Sequence, residues 1–83
     1  MSGVIRYWAA AKAAAGVAEE PYDGAVLADV LVGAAARRGQ GLALVLKRCS
    51  FLVDGAPVGL RDPESIHLRE GAVVEVLPPF AGG

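Results

Sequence analysis

The sequence is poor in the residues that most enzymes use for chemistry. Among 83 residues there is one cysteine, Cys49, and one histidine, His67. A single cysteine excludes an internal disulfide, and with it the stapled scaffolds of small secreted proteins. Cys49 lies in KRCSFLV, beside an apolar run, and reads as a small buried hydrophobe rather than a nucleophile. His67 has no Cys or His cluster around it, so no metal site is expected, and it reads as a residue of a surface strand or turn. Charge of either sign is also scarce. Lys and Arg number 8 against 9 Asp and Glu, for a formal net charge of −1. The basic residues Arg37, Arg38, Lys47, Arg48, Arg61 and Arg69 are scattered among acids in the sequence. They read as a solvated surface, and no partnership with nucleic acid or an anionic membrane is expected. No stretch reaches the ~18–20 uninterrupted apolar residues of a membrane helix. Arg6 and Lys12 break the Ala-rich N-terminal run, and no basic segment precedes it, which argues against a signal peptide. A cytoplasmic location is expected.

What the chain does have is hydrophobic content, 54%, much of it Ala, Val and Leu. At this length the expectation is one small domain that buries about 60–65% of its unfolded surface. Val4 to Trp8 is a β-branched and aromatic run that predicts a strand. Its alternation puts Ile5 and Tyr7 on the core side, and Val4, Arg6 and Trp8 on the other. Ala9 to Ala15 predicts one or two helical turns ending at Gly16. Val17 to Tyr22 predicts a short return strand, with Glu19 and Glu20 keeping its edge polar. Asp23-Gly24 marks a turn whose aspartate is placed to cap the next helix.

Val26 to Arg38 carries the clearest helical period. Val26, Leu27, Val30, Leu31, Ala34 and Ala35 form one apolar stripe, with Asp29, Arg37 and Arg38 off it. Leu42 to Lys47 fits either a helix or a strand and is read as a short helical turn, and Ser50 to Val53 predicts a strand. Asp54-Gly55 is a tight-turn signal, and Val58 begins a return strand that Pro57 confines to an edge. Ala72 to Leu77 predicts the last strand. There Val74 and Val76 face inward, while Val73, Glu75 and Leu77 share the open face. This order predicts an α+β fold, a mixed β-grasp (ubiquitin-like) sheet with one main helix packed on one face. The expected organisation is a body over 1–76 and a flexible Gly-Gly tail over 77–83.

No Ser-His-Asp set, paired carboxylates, phosphate loop or metal-ligand pattern is visible. Glu19 and Glu20 point to opposite faces of a strand and make no acid–base pair. An independent enzyme is therefore not expected, and the tail LPPFAGG is the remaining candidate. Pro78-Pro79 cannot continue a ladder and holds the chain extended. Phe80 is an apolar anchor, and Ala81, Gly82 and Gly83 have too little bulk to obstruct a narrow channel. The carboxylate at Gly83 is ionised and inert at neutral pH, and becomes reactive only when activated.

Three segments, VIRYWAAAKAAAG (Val4–Gly16), CSFLVDG (Cys49–Gly55) and REGAVVEVLPPFAGG (Arg69–Gly83), resemble the MoaD/ThiS family of sulfur carriers. The likeness covers essentially the whole chain and is strongest to the branch serving as small subunit of molybdopterin synthase. The resemblance implies that an E1-like adenylating enzyme uses ATP to convert Gly83 to an acyl-adenylate. A sulfur donor enzyme then makes a thiocarboxylate, and the tail enters the synthase large subunit. No bound cofactor is implied. Gly82 and Ala81 match the threading residues, and Pro78, Pro79 and Phe80 the docking arm. Leu77 and Trp8 would join it as an exposed apolar contact, the alternative being that Trp8 folds under the Ala-rich turn as ordinary core. The turn before the last strand is usually more acidic in the family, and here Ala72 follows Gly71. Thiamine, cysteine or tRNA thiolation, conjugation to lysine, and an unactivated ubiquitin-like binding module remain the alternatives.

Overall fold

The computed structural model of the protein describes residues 1–79. Strand β1 (Ser2–Tyr7) leads through α1 (Ala9–Ala15) into β2 (Glu19–Asp23). Helix α2 (Leu27–Arg38) and the shorter α3 (Gln40–Leu46) follow, then β3 (Ser50–Val53) and β4 (Ala56–Pro57). A 3-10 turn at Pro63–Ser65 precedes β5 (Val73–Leu77). The five strands form one sheet in the order β2-β1-β5-β3-β4. β1 and β5 are parallel at its centre, and the other pairs are antiparallel. This is the β-grasp arrangement. No helix among the described residues is long and apolar enough to cross a membrane.

Alternation decides which face of the sheet is covered. Ile5 and Tyr7 on β1 and Val74 and Val76 on β5 are buried, and they meet Leu27, Val30 and Ala34 of α2 in one cluster. Each fully buried Val or Leu contributes about 1.5–3 kcal/mol relative to exposure. Ala11 and Ala15 of α1 and Leu42 of α3 close the same core. The opposite face carries Val4, Arg6, Val73, Glu75 and Leu77, as their alternation requires.

One close approach requires glycine. A Cβ at Gly3 would collide with the Ala72 carbonyl oxygen and the Tyr22 hydroxyl. The space is taken because Tyr22 reaches across β1 and donates to that carbonyl at 2.8 Å. The expected Asp54-Gly55 turn is present, with left-handed φ values of 49° and 82°. These are the values a tight hairpin of primed geometry demands.

Several expectations shift. β1 starts at Ser2, and Trp8 lies just beyond it as the residue flanking α1. β2 runs Glu19–Asp23 rather than from Val17, because the chain first completes a turn in which the Tyr7 amide donates to Ala18 O at 2.8 Å. Asp23 does not cap α2: Val26 occupies that place without a side-chain bond. Asp23 instead lies 3.7 Å from the Met1 amino group. The return strand is Ala56–Pro57, and Val58 follows it, buried, with its amide on Phe51 O at 3.0 Å. Leu77 is still paired, to Ser50, so the body extends one residue beyond the expected boundary at 76. The largest correction is Glu20, which does not keep the edge polar. It is 7% exposed on the covered face, two residues from buried Tyr22.

Candidate functional site

Parallel pairing of β1 with β5 brings both C-terminal ends to the same edge of the sheet, and antiparallel β3 begins there. Tyr7 pairs with Val76, and Ser50 with Leu77. One step past the Tyr7–Val76 pair, Trp8 stands beside Leu77, and its amide donates to Val76 O at 3.2 Å. The indole is 48% exposed, and its Nε1–H donates to Glu75 Oε2 at 3.0 Å. That bond holds the ring over the open face rather than under α1. Ala9, directly after it, has φ 49°, a left-handed value that costs alanine about 1–2 kcal/mol. Neighbouring packing therefore sets where Trp8 points.

A shallow groove of about 270 Å³ beside the indole is lined by Arg6, Tyr7, Trp8, Lys12, Ala18 and Glu19. Across the open face, Arg6, Glu75 and Leu52 share one row. Val4, Val73, Leu52 and Leu77 are each half-buried. The surface is thus apolar in patches and sparsely charged. Arg6 reaches Glu19 only at 4.0 Å with both side chains about half exposed, a pair that adds little stability.

The covered face is the opposite in character. Tyr7 Oη donates to Glu20 Oε2 at 2.6 Å. The guanidinium Nε of Arg37 donates to Glu20 Oε1 at 3.2 Å, and Arg38 donates to both carboxylate oxygens at 3.1 and 3.2 Å. Burial alone would raise the Glu20 carboxyl, but the bonds from Arg38, Tyr7 and Arg37 outweigh it and hold the group below its ordinary range. Burial, then the hydrogen bond to Glu20, pushes the Tyr7 phenol well above its own. The Glu20 carboxylate and the Tyr7 hydroxyl are committed to these partners, and the network ties the end of α2 to β2.

The remaining reactive residues are quiet. The Cys49 Sγ–H donates to Val45 O at 3.2 Å, and burial pushes its thiol up, away from the reactive thiolate. His67 is exposed in an isolated bridge opposite Val26. Among the described residues, no group of three or more His, Cys, Asp or Glu is placed to hold a metal ion.

Of the expected site residues, Trp8 and Leu77 are brought together at the tail-exit edge, half-buried Pro78 and exposed Pro79 continue from it, and Phe80, Ala81, Gly82 and Gly83 lie outside the described residues. Sequence reasoning missed Glu75 as the partner of the Trp8 indole. Its place two residues before Leu77, on the same face, was the available signal.

A profile of the ThiS family matches residues 5–83. The chain belongs to the ThiS family. Members of the ThiS family are small carrier proteins rather than catalysts. The fold is similar to the small archaeal modifier protein 1 of Methanosarcina acetivorans, with a TM-score of 0.85 at 21% identity over 99% of this chain and 96% of that one. It is similar to the Haloferax volcanii HVO 2177 protein at a TM-score of 0.80 and 29% identity, over 100% of this chain and 87% of that one. It is also similar to a chain in the Helicobacter pylori complex of molybdopterin-converting factor subunits 1 and 2. That likeness has a TM-score of 0.71 at 22% identity and covers 100% of both chains. The first and third of these likenesses, at such identities, speak for the fold alone. Among curated proteins, none matches this ThiS-family sequence.

Proposed function

We propose that this ThiS-family chain is a sulfur carrier whose reactive group is the carboxylate of Gly83. The carboxylate oxygen attacks the α-phosphorus of ATP in an E1-like partner and releases pyrophosphate. Hydrosulfide released by a donor enzyme then attacks the acyl carbon, expels AMP and gives up its proton, leaving a thiocarboxylate. This chain supplies no catalytic group for either step and binds no cofactor itself. Its contribution is a compact body from which Pro78-Pro79 carries the Phe80-Ala81-Gly82-Gly83 tail toward another active site. The finer reading is that the acceptor is cyclic pyranopterin monophosphate in the large subunit of molybdopterin synthase, in the cytoplasm.

The observation that carries the proposal is the family match over residues 5–83, which runs through the whole tail. The placement of Trp8 beside Leu77, where β5 leads into Pro78, supports it by giving a partner an apolar contact at the base of the tail. The resemblance of REGAVVEVLPPFAGG (Arg69–Gly83) to the molybdopterin synthase branch favours molybdopterin synthesis over thiamine, cysteine or tRNA thiolation, and the Helicobacter likeness adds only that the fold is the same.

Incubation with ATP, an adenylating enzyme and a sulfur donor tests the chemistry. The intact mass is expected to rise by one oxygen-to-sulfur exchange, localised to the terminal glycine. Deletion of Gly83 is expected to abolish the exchange and leave the melting temperature unchanged. An unmodified wild-type terminus with competent partners would overturn the carrier reading in favour of an unactivated binding module. The same activated carboxylate can acylate a lysine amine, and the fold neighbour from Methanosarcina is named a modifier protein. Covalent adducts of higher mass, in place of the sulfur exchange, would identify that chemistry here.

A further inference from the structure

The near-zero net charge conceals a separation of charge along the strands. At the tail-exit end, β1 and β5 finish and β2 and β3 begin. Arg6 is the penultimate residue of β1, and Lys12 lies on α1, which follows it. Arg37 and Arg38 end α2 and are drawn there by Glu20, the second residue of β2. Lys47 and Arg48 lie three and two residues before β3 begins at Ser50. Among the described residues, these six cations face three side-chain carboxylates: Glu19, Glu20 and Glu75. Glu20 is occupied by Arg37 and Arg38, and Glu75 accepts from the Trp8 indole. Lys12, Lys47 and Arg48 are exposed and make no ion pair among the described residues.

The far end is reversed. Asp23 ends β2, Asp54 turns the chain after β3, and Glu70 turns it before β5. Asp29 sits in the first turn of α2, and Asp62 and Glu64 lie at the 3-10 turn. Against these six carboxylates stand Arg69, which bonds Asp54 at 3.2 Å, and the Met1 amino group beside Asp23. Arg61 bonds the Pro57 and Val58 carbonyls at the β4 edge and belongs to neither end.

We infer that Lys12, Lys47 and Arg48 form a positive collar around the base of the tail, and that it docks on an acidic rim around the entrance through which a partner receives the tail. Lys12 lines the groove on the β2 side of Trp8, whereas Lys47 and Arg48 lead into β3 on the other side of Leu77. The cations therefore bracket the Trp8–Leu77 patch. An apolar centre with a charged rim is the anatomy of a protein interface, and cations separated by an apolar patch make no continuous phosphate track. A dipole of this sense turns the molecule tail-first in the field of an acidic receptor. Such steering raises association rates by roughly 10–10³-fold and fades with salt.

The inference rests on the carrier reading, and one set of measurements separates their failures. Wild-type protein, a Lys12→Glu/Lys47→Glu/Arg48→Glu variant and an Asp29→Lys/Glu64→Lys control are mixed rapidly with the adenylating enzyme of the same organism at low and high salt. Circular dichroism melts confirm that each variant is folded. The wild-type association rate is expected to fall as salt rises. The collar variant should associate at least about tenfold more slowly at low salt, with dissociation within about twofold, and the control within about twofold in both. Thiocarboxylate formation at a rate indifferent to salt and to the collar would overturn the collar while the carrier reading stands. Wild-type protein that neither associates nor gains sulfur would overturn both. Tighter collar-dependent retention by phosphatidylglycerol vesicles than by the enzyme would reassign the collar to a membrane and overturn the inference.

Discussion

Glu19 and Glu20 are adjacent in β2, and they meet opposite circumstances on the two faces of the sheet. Glu19 lies in water with Arg6 at 4.0 Å. Glu20, on the covered face, accepts from Tyr7, Arg37 and Arg38 at 3.2 Å or less. The aromatics divide in the same way: Tyr7 is buried with its hydroxyl committed, whereas Trp8 is half in solvent with its indole N–H on Glu75. The difference separates two jobs. Groups on the covered face have their hydrogen bonds completed inside the molecule and hold it together. Groups on the open face keep exposed surface, which a partner can cover.

By that division, a change on the covered face costs stability and one on the open face costs binding. The largest effect is expected at Glu20. Glu20→Gln removes the charge that Arg37 and Arg38 bond, and is expected to destabilise the fold by about 2–4 kcal/mol. For a domain of this size each kcal/mol lowers the melting temperature by roughly 4–8 °C. Urea or thermal melts check this, and a loss of under about 1 kcal/mol would break the contrast.

Acid probes the same carboxylate without mutation. The folded Glu20 carboxyl titrates below its ordinary value of 4.5. Its stabilisation is therefore complete above that value and is lost as pH falls through the lower folded value. The melting temperature should change little from neutral pH to about 5 and then decline, with a shallower decline in Glu20→Gln. Asp54, bonded by the Val73 amide and Arg69, and Glu70, bonded by Ser2, are also held low. They account for the acid slope expected to remain in that variant.

On the open face, Trp8→Ala is expected to weaken partner binding by about 2 kcal/mol, near 30-fold, while changing stability by less than about 1 kcal/mol. Calorimetric titration with the partner, set beside a melt, measures both. A larger loss of stability than of binding would move Trp8 into the structural class. The smallest effect is expected at Glu19, where Glu19→Gln should alter stability by under about 0.5 kcal/mol. A double-mutant cycle with Arg6→Gln checks it.

The periodicities were legible in the residues. The Leu27, Val30, Ala34 stripe of α2 and the inward Ile5, Tyr7, Val74 and Val76 follow from spacings of 3.6 and 2, which are local properties of the backbone. The Asp54-Gly55 turn was legible because few residues tolerate left-handed φ. The environment of Glu20 was not. Alternation separated it from Glu19, but whether its face was covered depended on helix residues 17 and 18 positions further along the chain. Arg37 and Arg38 likewise looked like solvated helix-end charges until α2 came to rest across β2. The polarity of charge was hidden for a related reason: six cations spread from Arg6 to Arg48 converge only when the strand ends converge.

By itself, then, the sequence determined the elements, their inward faces and a tail whose chemistry belongs to its terminus, because each depends on short-range geometry or on residue type alone. Only the tertiary structure decided which glutamate is locked, which aromatic stays exposed and where the cations gather. Those outcomes depend on parallel pairing of β1 with β5 and on the path of α2 over the sheet, contacts between residues far apart in the chain.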